Sequence, residues 1–136
     1  MLDPSVVNAF VAMVEEGKYI EALQRFYHPA AIVWENQQTS RVGLDALIEN
    51  EHRVLNTFTA VTGRAMQVLI HADQVAINWR FEFLNGEHRT ALDEVAIQQW
   101  SDGKIVHERF YYDPAQTRPQ SVQPVTQGGT QEVLSS

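Results

Sequence analysis

Residues 91–113 decide the fold: ALDEVAIQQW, then SDGK at the turn, then IVHERFYYD. Two runs rich in β-branched and aromatic residues flank Asp102-Gly103, a pair suited to a type I′ turn because both central positions need positive φ. A two-residue loop sets Trp100 opposite Ile105, Gln99 opposite Val106, Ile97 opposite Glu108, Val95 opposite Phe110 and Asp93 opposite Tyr112. Period-2 alternation then gives one face with Asp93, Val95, Ile97, Gln99, Val106, Glu108, Phe110 and Tyr112, and another with Glu94, Ala96, Gln98, Trp100, Ile105, His107, Arg109 and Tyr111. The first face is mostly apolar, yet Glu108 sits at its centre. A carboxylate among such neighbours is costly unless it is protonated, paired or at a cavity wall.

The turn signals continue upstream. Gln74 to Leu84 alternates, with Trp79, Phe81 and Phe83 on one side, and Asn85-Gly86 makes the next turn. A two-residue loop places Trp79 and Phe81 with Glu94. A three-residue loop or bulge places them with Asp93 and Val95, and is preferred because it makes one apolar face across three strands. Val61 to His71 reads as another strand, bulged at Gly63. Before it the period is helical: Leu44, Leu47, Ile48, Val54, Leu55 and Phe58 form a stripe that includes Glu51. Ala31 to Trp34 is a short strand running into a polar loop at Glu35. Asp3-Pro4 caps a first helix carrying Val7, Phe10, Val11 and Val14, stopped by Gly17. A second helix with Tyr19, Ile20, Leu23, Phe26 and Tyr27 ends at His28-Pro29. From residue 116 to 136 the chain turns to Gln, Pro, Ser, Thr and Gly, which predicts a flexible polar tail after a domain of residues 1–115.

With 136 residues, 44% hydrophobic and 20% charged, the chain has the makings of one globular domain. A formal net charge of −7 and no basic run argue against nucleic acid. The lack of an 18-residue apolar stretch argues against a membrane span, and with no signal-peptide pattern a cytoplasmic location is expected. There is no cysteine, and the five histidines show no ligand spacing, so neither a metal nor a cofactor is expected.

Helices followed by long antiparallel strands imply an α+β fold, with three N-terminal helices closing the concave face of a strongly curved, mainly antiparallel sheet. The chain resembles the SnoaL-like branch of the NTF2-like (cone-shaped α+β barrel) superfamily over about residues 5–115. The match rests on Trp34-Glu35-Asn36, Val42 to Ile48 with Glu51 and Arg53, Asp93 to Ala96, and Asp102 to Pro114. The resemblance implies a small-molecule pocket inside the cone and a homodimer through the convex sheet face, where Trp100, Ile105, Arg109 and Tyr111 would suit an interface. It also implies that an aspartate in the cone often does the chemistry. The last-strand aspartate of the polyketide cyclases is replaced here by Phe110, a departure from that activity.

Glu108 and Asp93 are therefore the candidate catalytic residues, as a general acid and base acting beside a carbonyl. Against this stand a carboxylate satisfied by Arg or Tyr for Glu108, and an ion pair with Arg80 or Arg89 for Asp93. Tyr27, Trp34, Glu35, Glu51, Trp79, Phe81, Val95, Ile97, Phe110 and Tyr112 are expected to line the pocket. Tyr27 or Tyr112 could give a hydrogen bond to a developing oxyanion. The expected ligand is a small apolar or polycyclic molecule. The expected activity is cofactor-independent isomerisation, cyclisation or dehydration; the competing reading is a non-catalytic dimeric binding or interaction module of the same fold.

Overall fold

A computed structural model describes residues 2–117 and the backbone of residues 120–121. Three helices come first: α1 (Pro4–Glu15), α2 (Tyr19–Phe26) and, after β1 (Tyr27–Glu35) and β2 (Arg41–Val42), α3 (Leu44–Thr57). Then follow β3 (Ala60–His71), β4 (Gln74–Asn85), β5 (His88–Ser101) and β6 (Lys104–Tyr111), a 3-10 turn at Pro114–Thr117 and a two-residue β7 (Gln120–Ser121). The sheet order is β2-β1-β6-β5-β4-β3, antiparallel except for the β1–β6 pair, with β7 on the edge of β5. The α+β cone expected from the pattern is what the chain forms. The tail expected beyond residue 115 falls largely outside the described residues.

Local chemistry explains the helices. The Asp3 side chain accepts a hydrogen bond from the Ser5 amide at 2.9 Å, Pro4 takes the first helical position, and Val7, Phe10, Val11 and Val14 bury one face of α1. Phe10 meets Phe26, Tyr27, Trp79 and Trp100 edge-on, joining α1 and α2 to the sheet. Removing a ring so enclosed costs about 3–5 kcal/mol in typical cores. Gly43, at φ 94°, starts α3 in a conformation that a side chain would strain.

Four details differ from the sequence reading. Strand β1 starts at Tyr27, directly after α2, because Pro29 falls where β1–β6 pairing is interrupted between Tyr27 and Ile32. The bulge in β3 is at Met66, between the Ala65↔Trp79 and Gln67↔Asn78 pairs. Gly63 instead makes room for a ring, since a Cβ there would lie 2.5 Å from Phe81 Cε1. The β4–β5 turn has two residues, Gly86 and Glu87, so Trp79 faces Glu94 and Phe81 faces Leu92.

The fourth difference is in the hairpin. Asp102 and Gly103 adopt φ of 52° and 74°, as a type I′ turn requires, and Trp100 pairs with Ile105. One step later the register shifts: Gln99 pairs with His107, leaving Val106 as an extra residue in β6. The bulge lets Ile105 and Glu108, three residues apart, both face inward. Glu108 thus lies opposite Gln98 rather than Ile97, and the inner face of β5 is Glu94, Ala96, Gln98 and Trp100. Trp100 and Ile105, expected on the convex face, are in the core.

Candidate functional site

The inner sheet face and the three helices enclose a cavity of about 220 Å³. Trp79, Phe81 and Phe83 from β4, Leu92 and Glu94 from β5, and Glu108 and Phe110 from β6 form its sheet wall. Phe10, Tyr19 and Leu23 from the first two helices, and Leu47, Asn50, Glu51 and Val54 from α3, form the other. Tyr27, Val33, Glu35 and Arg41 complete it from β1 and β2.

Glu108 is the most enclosed carboxyl, only 2% exposed. Its Oε1 accepts a hydrogen bond from the Tyr27 hydroxyl, and its Oε2 accepts one from Gln98 Nε2 at 2.6 Å. Gln98 Oε1 accepts in turn from Trp100 Nε1 at 2.9 Å. An indole can only donate, so Trp100 fixes the Gln98 amide with its NH2 toward Glu108. Burial pushes the Glu108 carboxyl up to about 7, while the two donors pull it back toward ionisation.

Glu94 is a different carboxyl. It is 8% exposed and lines the cavity, yet its side chain takes no hydrogen bond from the described residues. Burial first, then the negative charges of Glu108, Glu35 and Glu51, push it up to about 8. Glu94 is four residues from Gln98 on β5, hence two pleat steps from Glu108. Two such coupled carboxyls titrate as a pair.

The third polar cluster involves the strand edge. Arg41 Nη1 pairs with Glu35 Oε2 at 2.5 Å, and the Tyr112 hydroxyl donates to Glu35 Oε1 at 2.7 Å. Burial, then Glu35, raise the pKa of Glu51 on α3, and Arg41 opposes them. Burial and the bond to Glu35 raise that of Tyr112.

Of the sequence candidates, the cavity brings together Glu108, Tyr27, Glu35, Glu51, Trp79, Phe81 and Phe110; Tyr112, expected to line it, does not, and is linked to it only by its hydrogen bond to Glu35. Asp93 does not belong to it. It lies on the convex face and pairs with Arg80 at 3.3 Å, because the two-residue turn gives the inner position to Glu94. Val95 and Ile97 share that outer face and are 37% and 42% exposed. Trp34 is also outside, beneath the Arg109 guanidinium at 4.8 Å and against the His107 ring. Both tyrosines considered as oxyanion donors have their hydroxyls committed, to Glu108 and Glu35. The sequence reading missed Glu94, Gln98, Arg41 and Asn50. The signal for Glu94 was there, since the two-residue loop placed it with Trp79 and Phe81.

Among the described residues no three potential ligand side chains converge on a metal site, and no helix is long and apolar enough to cross a membrane.

Known proteins share this fold. A family model described as a SnoaL-like domain matches residues 7–108. A proposed SnoaL-like polyketide cyclase from Mesorhizobium loti superposes with a TM-score of 0.73 at 22% identity, covering 82% of this chain and 100% of that one. An LEH-like epoxide hydrolase from M. tuberculosis gives 0.69 at 12% identity, covering 82% and 79%. TerC, crystallised with polyporic acid, gives 0.70 at 15% identity, covering 97% of both chains. At these identities the likeness is one of fold. No match was found among functionally curated proteins.

Proposed function

The chain belongs to the SnoaL-like family, and from that premise we propose that it binds a small, mainly apolar molecule in the cone and moves a proton beside its carbonyl group. The observation that supports this most is Glu94: a carboxyl buried among aromatic side chains, facing the cavity and without a hydrogen-bond partner among the described residues. A base is most effective when its pKa lies near the working pH, and Glu94, at about 8, meets that condition. In this reading Glu94 takes a proton from carbon and returns it. Glu108, held by Tyr27 and Gln98, is the second proton site, and its charge when ionised raises the pKa of the first. A developing oxyanion would meet the Arg41 guanidinium, beyond the N–H given to Glu35, and the Asn50 amide, both of which line the cavity. The structural neighbours named as a cyclase and an epoxide hydrolase, and the one crystallised with polyporic acid, are in keeping with a cyclic ligand.

The test is proton exchange. Wild type and Glu94→Gln are incubated in D2O with a panel of cyclic ketones, neutral and amine-bearing, and α-deuteration is followed by NMR. Acceleration by wild type that falls about 100-fold or more in the variant supports the reading. No acceleration by wild type on any panel member overturns it, in favour of a binding module; the commitment of both tyrosine hydroxyls is the feature that favours that alternative.

A further inference from the structure

The cavity has an unbalanced charge inventory. Four carboxyls line it, Glu35, Glu51, Glu94 and Glu108, against one guanidinium, Arg41. Arg41 is paired to Glu35, and Glu108 is satisfied by neutral donors. Glu51 and Glu94 have no hydrogen-bonding side chain against them among the described residues, and Glu94 is more than nine-tenths buried. Without a ligand the Glu94 carboxyl opens onto the cavity, where water solvates it; an apolar molecule alone would displace that water and leave the carboxyl without a donor, which is costly in a low-dielectric site. A ligand that brings a positive charge with N–H donors would satisfy it.

The wall beside Glu94 fits the same group. Glu94 pairs across the sheet with Trp79, both pointing inward, and the Trp79 and Phe81 rings lie 5.4 Å apart between centroids. An ammonium is attracted to a carboxylate and to the faces of aromatic rings, and here the two are cross-strand neighbours. The volume, about 220 Å³, is below the range typical of drug-sized ligands, so the frame carrying the charge is small.

We propose that the cone selects a small amine-bearing ligand, its protonated amino group seated between Glu94 and the Trp79–Phe81 wall. This rests on the proton-transfer reading and deepens it: the ligand's cation favours ionised Glu94, so the substrate itself would ready the base. The titratable groups facing Glu94 are Glu108, Glu35 and Glu51, which oppose its ionisation in the absence of a ligand, and Tyr27 and Tyr112, whose own ionisation it opposes. Seating the ammonium therefore releases protons to solvent near neutral pH.

Three probes of one shape separate the charges: benzylammonium, benzyl alcohol and benzoate. Calorimetric titration of the full chain at neutral pH, in phosphate and in HEPES, gives affinity and protons released. Benzylammonium is expected to bind at least about ten-fold more tightly than benzyl alcohol, with benzoate weakest and a net proton release. Glu94→Gln should remove the preference over the alcohol and the proton release. Glu51→Gln, on a different element, should weaken the preference in the same direction. Equal binding of the alcohol, tighter binding of benzoate, or no binding of benzylammonium overturns the inference. Charge preference is read without turnover, so it survives a failed exchange assay; exchange on neutral ketones likewise survives a failed charge preference.

Discussion

Gln98 Nε2 donates to Glu108 Oε2 at 2.6 Å, and because Trp100 holds the other end of the amide, this donor cannot turn away. Gln98 lends the buried carboxylate half of its hydrogen bonding. In Gln98→Leu, Glu108 keeps only Tyr27 and the Trp100 N–H loses its acceptor. An orphaned buried polar group costs about 1–3 kcal/mol. The loss should be larger at pH 8 than at pH 6, because the ionised carboxylate depends more on its donors. Urea denaturation at the two pH values measures it.

The raised carboxyls make stability depend on pH. Glu108 at about 7 and Glu94 at about 8 both lie above the ordinary value of 4.5. The folded state therefore holds protons that the unfolded chain has already released, and their stabilising contribution is full below about pH 4.5. It is lost as pH rises through about 7 to 8. A tenfold difference in proton affinity between the folded and unfolded states corresponds to about 1.4 kcal/mol, so the pair should remove on the order of a few kcal/mol between acid and alkaline conditions. The urea midpoint of wild type should fall from pH 6 to pH 9, and that of Glu94→Gln should fall less. A midpoint that rises over this range would contradict the buried placement of both groups.

Much of this was legible in the sequence. The helix periods and the Asp102-Gly103 turn follow from local chemistry, whereas Glu108, expected inward on a face shared with Val95 and Ile97, is inward only because the Val106 bulge moves it off that face. The wrong assignments came from β5, where the usual pattern is reversed: its inner face carries Glu94 and Gln98, and its outer face Val95 and Ile97. Hydrophobic alternation takes the apolar side as the core side, so it selected the outer one. The Val106 bulge completed the error. Strict period-2 alternation cannot put Ile105 and Glu108 on one face, and a bulge leaves little trace in one sequence. Departures from local rules concentrate at functional sites, and here both departures border the cavity.

Asp93 and Glu94 are adjacent in sequence and opposite in the fold, which gives a direct test of the register. Asp93→Asn breaks only an exposed pair with Arg80, so stability should change by less than about 1 kcal/mol and ligand binding in the cone should be unaffected. Glu94→Gln should leave the fold intact and alter every pH-dependent property of the cavity. The two variants, compared by NMR-detected binding of benzylammonium at pH 7, should differ by about ten-fold or more in affinity. A larger effect from Asp93→Asn than from Glu94→Gln would mean that β5 is turned the other way.

Gly63 controls the shape of the cavity from outside it. A methyl group there would lie 2.5 Å from Phe81 Cε1 and 2.7 Å from Cδ1, closer than atoms can approach. Phe81 cannot simply swing aside, because it packs between Trp79 at 5.4 Å and Phe83 at 6.2 Å between ring centroids. Gly63→Ala should therefore force the ring into the cavity at a cost of about 1–3 kcal/mol, the range for overpacking. The same change should weaken benzyl alcohol as well as benzylammonium, since it removes space rather than charge. Phe81→Leu in the Gly63→Ala background should restore part of the stability by relieving the clash. Denaturation curves of the single and double variants decide it, and a double variant less stable than Gly63→Ala alone would show that the ring had already found room.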